Sequence, residues 1–147
     1  MSPRIIRMPL SGGDRKHYAR ELARTERLHA DLVRQTNAAY LTAHRLGCEE
    51  WNARQFIGGE AAPSPIIGHA IDAGCTMLEV ECRSCGHRDR VNLLDVVWPR
   101  DRPIHTLAKA LFCRPCRDSS CVTRRPNLVA LSMPSDPTPP ANAARGR

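Results

Sequence analysis

Between residues 14 and 46 the apolar side chains return with a helical rhythm. At 100° per residue, Tyr18, Leu22, Leu28, Leu32, Val33, Ala39, Tyr40, Ala43 and Leu46 share a stripe about 140° wide, while Arg20, Arg24, Arg27, Asp31, Arg34 and Arg45 fall outside it. The spacing predicts one amphipathic helix, opened by the loop Ser11-Gly12-Gly13-Asp14 with Asp14 as an acidic N-cap and stopped by Gly47 at C′. A helix of roughly 33 residues runs about 50 Å, more than a small domain covers. Part of its apolar face is therefore expected to meet another helix or a second chain, unless the helix folds back on its own domain or breaks near Glu21 to His29, where Thr25 and His29 weaken the stripe. The pattern makes no heptad repeat.

After residue 48 the rhythm shortens. Trp51 and Phe56 followed by Gly58-Gly59 read as a helical remnant ending in a hinge, and Ala61-Ala62-Pro63 as a linker. Ser64 as N-cap with Pro65 at the first helical position, then Ile66, Ile67, Ala70 and Ile71 on one side, predicts a short helix closed by Gly74. Leu78-Glu79-Val80-Glu81-Cys82 alternates as a half-buried strand does, and Arg88 to Leu93 supplies its hairpin partner. Trp98 to Pro103 is a loop, Ile104 to Leu111 a short helix or extended lead-in, and Asn127 to Ser132 a closing strand. The Pro-rich run from Pro134 cannot bury a core and is expected to be disordered. The resulting layout is α+β: a helical arm and hinge over residues 1–62, a small domain over 63–134 built on a β-hairpin, a closing strand and short capping helices, and a tail over 135–147.

Composition sharpens this picture. A chain of 147 residues with two Phe, two Trp and two Tyr must build its core from Leu, Ile, Val and Ala, and a core that small needs a staple. No apolar run is long enough for a membrane span and the N-terminus has too short an apolar stretch for a secretory signal, so a cytoplasmic protein without membrane association is expected. Seven cysteines, an odd number, then point to metal or redox chemistry rather than a disulfide framework.

The staple is visible in Cys82-Arg83-Ser84-Cys85 and Cys113-Arg114-Pro115-Cys116, two C-x2-C units with 27 residues between them. A turn with two intervening residues brings both sulfurs to one ion while backbone N–H groups point at them, and two such turns complete a tetrahedron. Four thiolates leave no open position for a water, so the site reads as one structural Zn²⁺ per chain; iron in a rubredoxin-like site is the competitor. Gly86 suits the residue after the first unit because it takes positive φ at little cost, whereas Arg117 holds the equivalent place in the second. Cys121 and His87 are spare donors that could join the metal shell, and Cys48 and Cys75 read as core or free thiols. A redox dithiol needs only one such unit.

The stretch from Ile67 to Ser132, with Gly68-His69-Ala70-Ile71-Asp72-Ala73-Gly74 leading to Leu78-Glu79-Val80-Glu81-Cys82, then Pro103-Ile104-His105, Leu111-Phe112-Cys113 and Leu128-Val129-Ala130-Leu131, resembles small uncharacterised proteobacterial zinc-ribbon proteins. The resemblance covers a little under half the chain. It implies a zinc-ribbon fold with Cys82, Cys85, Cys113 and Cys116 as ligands, and no activity. The N-terminal helix lies outside it.

Charge supplies the functional expectation. Of the formal +7, residues 75–134 carry +4, and metallation by four thiolates lowers that by two. Arg83, Arg88 and Arg90 surround the first cysteine pair, and Arg114, Arg117, Arg124 and Arg125 follow the second. Folding can gather them for contacts to DNA or RNA phosphates, as in an accessory or transcription-related regulator. No aromatics are spaced along the chain for stacking on single strands. The alternative is a protein-interaction module whose helix from Tyr18 to Leu46 dimerises or docks on a partner. An enzyme is not expected: there is no Gly-rich phosphate loop, H-E-x-x-H, nucleophile elbow or carboxylate pair placed for acid/base work.

Overall fold

A computed structural model describes residues 11–137. Most of the expected disordered tail lies outside the described residues. The chain is α+β, as the patterning implies: helix α1 (Gly12–Phe56), helix α2 (Ile67–Asp72), strands β1 (Met77–Glu81) and β2 (Arg88–Asn92), a 3-10 helix at Ile104–Lys109, helix α3 (Arg114–Ser120) and strand β3 (Asn127–Ser132). No described helix is long and apolar enough to cross a membrane.

Helix α1 differs from the expectation at both ends. Ser11, not Asp14, is its N-cap: the Ser11 hydroxyl accepts the Asp14 backbone N–H at 3.1 Å and donates to the Asp14 carboxylate at 2.5 Å. The helix runs unbroken past His29 and through Gly47, where an added Cβ would meet nothing, so that glycine imposes no stop. The stop falls at Gly58, with φ +81°, where Gly59 N–H donates to the Arg54 carbonyl at 2.8 Å and Gly58 N–H to that of Gln55 at 3.1 Å. These are the two bonds that satisfy the terminal carbonyls of a helix ending in a left-handed residue.

The chain divides into two compact units, residues 1–39 and 40–147. In the first, every described side chain is exposed, the stripe residues Tyr18 and Leu32 at 62% and 49% included. The second unit begins inside α1 and so takes in residues that the sequence layout assigned to the arm. Cys48 and Trp51, both 0% exposed, join Ile67, Ala70, Cys75, Leu78, Val80, Leu93, Ile104, Leu107, Leu128 and Leu131 in its core. Trp51 Nε1–H donates to the Ala61 carbonyl at 2.9 Å.

The sheet has the order β2-β1-β3, all antiparallel, with Glu79 opposite Arg90 and Glu81 opposite Arg88 on one side and Leu78 opposite Leu131 on the other. Alternation along β1 buries Leu78 and Val80 as the sequence pattern requires. Strand β3 is an edge, and an edge exposes unpaired backbone groups. Asn52 on α1 covers it: the side-chain amide donates to the Leu131 carbonyl at 2.8 Å and its carbonyl accepts the Leu131 N–H at 2.7 Å. Asn52→Ala leaves both backbone groups without this partner, and equilibrium unfolding should show a loss of about 2 kcal/mol.

Helix α2 starts at Ile67 rather than at Pro65. The Ser64 hydroxyl is drawn away to His105, whose backbone N–H it accepts at 2.8 Å, and the carbonyls of Arg102 and Arg100 take the N–H groups of Ile67 and Gly68 instead. Gly74, with φ +83°, ends the helix as expected. These bonds tie α2 to the segment that leads into the second cysteine pair.

Candidate metal centre

Strand β1 delivers Cys82 to the tip of the hairpin, and the chain turns there. Gly86 N–H donates to the Cys82 carbonyl at 2.9 Å and Cys82 N–H to that of His87 at 2.9 Å, with Gly86 at φ +72°. A Cβ at Gly86 would strain this backbone even though open space surrounds it. Opposite, Cys113 sits at the N-cap position of α3 and Cys116 on its first turn. The sequence reading has a turn here; a seven-residue helix forms because Pro115 lies in the first turn, where its missing N–H costs nothing. Cys121 closes it with φ +57°.

These two elements bring the sulfurs of Cys82, Cys85, Cys113 and Cys116 to within 4.8 Å of one another. Cys82 Sγ is 3.7 Å from Cys116 Sγ and Cys85 Sγ is 3.4 Å from Cys113 Sγ. A tetrahedron with 2.3 Å metal–sulfur bonds has sulfur–sulfur edges of about 3.8 Å, so the cluster fits a single ion. The same distances far exceed a disulfide bond, and all seven cysteines are free. Cys82, Cys113 and Cys116 are buried as a group of their own, apart from the main core, and Cys85 is exposed.

The electrostatics of the thiols differ. The Cys85 and Ser84 backbone N–H groups aim at Cys82 and, against the effect of burial, hold its pKa down at about 7. Burial pushes Cys116 up to about 12 and raises Cys113. Without a cation, packed thiols cannot all ionise in a low-dielectric site; a bound divalent ion reverses that balance. Cys48 is also pushed up to about 12 by burial, and Cys75 is raised for the same first reason, which fits core thiols of low reactivity. Cys121 is exposed and stands outside the four-sulfur cluster, as does His87, whose backbone carbonyl serves the first turn.

The seven arginines singled out from the sequence separate into two groups. Arg88 pairs with Glu81 at 3.1 Å and Arg90 with Glu79 at 3.3 Å, each across the β1–β2 ladder, and Arg90 also donates to the carbonyls of Asp136 and Pro137. Those two are committed to the sheet. Arg83, Arg114, Arg117, Arg124 and Arg125 are exposed. Backbone bonds draw three of them around one ligand: Arg114 follows Cys113, Arg117 N–H donates to the Cys113 carbonyl at 3.2 Å, and the Arg124 carbonyl accepts the Cys113 N–H at 2.8 Å. The Arg117 guanidinium lies 4.8 Å from the centre of the Phe112 ring.

Sequence reasoning missed Phe112, because an aromatic beside a metal ligand is one residue long and leaves no periodic trace. It also missed Asn52, whose side chain acts on a strand 79 residues away. Compared with protein-family models, with curated proteins and with solved structures, the chain finds no match.

Proposed function

We propose that this is a structural-zinc protein of zinc-ribbon type that binds nucleic acid, as an accessory or transcription-related factor, and catalyses no reaction. The observation that carries this reading is the set of five exposed guanidinium groups carried on and around the two cysteine turns, three of them tied to Cys113. A rigid metal centre holds such cations at fixed spacing, and fixed cations release counterions when phosphates take their place. Tetrahedral sulfur suits both zinc and iron, and zinc is favoured because the second cysteine unit is followed by Arg117 rather than by the glycine that follows the first. Free thiols throughout agree with a reducing compartment, so the proposed site of action is the cytoplasm.

The reading is tested with the metal-loaded chain, fluorescent oligonucleotides and a salt titration. Arg114→Gln and Arg117→Gln should each lower the slope of log K against log salt by about 0.7–0.9, whereas Arg88→Gln should leave it unchanged. A second reading rests on the exposed stripe of α1, where Tyr18, Leu28 and Tyr40 are all more than half exposed. In that reading the helix pairs with a second copy or lies in the groove of a protein partner. No binding to any oligonucleotide at low salt, with a dimer in sedimentation, decides for the second.

A further inference from the structure

We infer that the hollow beside the metal centre seats one unpaired base of a single-stranded nucleic acid, with Phe112 as its stacking platform; this rests on the nucleic-acid reading above and narrows it. The hollow has a volume of about 250 Å³. Its walls come from Val80, Val91 and Leu111, with Phe112 and Arg114 among the lining residues. That volume lies below the range of about 300–1,000 Å³ typical for drug-sized ligands, and suits one flat ring.

Three features choose a base over other flat groups. Phe112 is 40% exposed although it stands between Leu111 and Cys113, so the ring is presented to solvent from a backbone that the metal centre fixes. The Arg117 guanidinium lies over one face of the ring, 4.8 Å from its centroid, so the base takes the opposite face and the cation stays within reach of the phosphate that follows it. Finally, the walls are not wholly apolar: His87 and Asp89, 4.0 Å apart, also line the hollow and offer donor and acceptor groups to a base edge. An aliphatic side chain or a lipid tail would leave those groups without a use and would gain nothing from the surrounding guanidiniums. A duplex keeps its bases stacked inside, so it can reach the arginines but not the hollow.

The test compares four fluorescent probes by anisotropy with the full, metal-loaded chain: a mixed-sequence single strand of DNA, the same strand of RNA, a backbone-matched strand with abasic sites, and a duplex. Phe112→Ala should weaken both base-bearing single strands about tenfold, within the range expected for one stacked base, and leave the abasic strand and the duplex unchanged. Phe112→Trp should keep binding, and its indole emission should quench on adding either base-bearing strand. Arg124→Gln should weaken all four probes alike. Metal content and melting temperature of each variant are measured beforehand, and Phe112→Trp carries the test through its quench if the alanine variant loses metal.

Equal binding of base-bearing and abasic strands by the wild-type chain would overturn the base seat while leaving the phosphate-binding reading in place. So would an Arg124→Gln effect with none from Phe112→Ala. A wild-type chain that binds none of the probes would overturn both. A difference between the DNA and RNA strands identifies which of the two the seat prefers.

Discussion

Chelation of a metal held by the four cysteines, or Cys113→Ser, should abolish the cooperative unfolding transition of residues 40–137 while leaving much of the far-ultraviolet helical signal of residues 12–39. Little else holds the cysteine end together. The main core has twelve buried members, one of them an aromatic, and the three buried ligands form a separate group. Helix α3 has seven residues, too few to persist by propensity. Structural zinc contributes an apparent 10–16 kcal/mol in small zinc-dependent domains at neutral pH, comparable with the 5–15 kcal/mol that separates folded from unfolded states in ordinary domains. Removal of such an ion from the four cysteines would therefore take away about the whole margin. Acid acts in the same direction, because each ligand must lose its proton to hold the metal. Circular dichroism and tryptophan emission through a chelator titration read the two parts separately. A Cys113→Ser chain that keeps a sharp melt without metal contradicts the expectation.

What was legible in the sequence follows from the range over which each signal acts. Strand β1 and the first cysteine turn announce themselves within a few residues, through alternation in Leu78–Glu81 and the spacing of Cys82 with Cys85, and they stand where the sequence puts them, whereas the second pair joins the same cluster from the start of a helix. The end of α1 is not legible locally, because Gly47 and Gly58 are both plausible stops by residue type. Only Gly58 adopts positive φ, and what carries the helix past Gly47 is the burial of Cys48 and Trp51 against residues that come later in the chain. Ser64 failed as an N-cap for a similar reason, since His105 competes for its hydroxyl from 41 residues away. Arg88 and Arg90 could be identified as cations but not as partners of Glu81 and Glu79 until the hairpin register was known. Side chains that act on distant backbone, such as Asn52, leave no local mark at all.

Trp51→Ala should cost about 3–5 kcal/mol and lower the melting temperature of the metal-loaded chain by on the order of 15 °C or more. The indole is wholly buried, it is the largest side chain of the core, and it bonds the Ala61 carbonyl at 2.9 Å. Truncation therefore opens a cavity and removes a partner of that carbonyl at once. Trp51→Phe separates the two effects, since it fills much of the cavity but restores no donor, and should cost about 1–3 kcal/mol. Trp98→Phe provides a background in which the single remaining indole reports on this site, with Trp98 itself bonded to the Thr106 hydroxyl at 3.0 Å. The comparison also decides where the folded unit begins. If residues 40–56 belong to it, as the burial of Cys48 and Trp51 requires, the Trp51 variants shift the same transition that metal removal abolishes. If the unit began near residue 63, a truncation at Trp51 would leave that transition where it was.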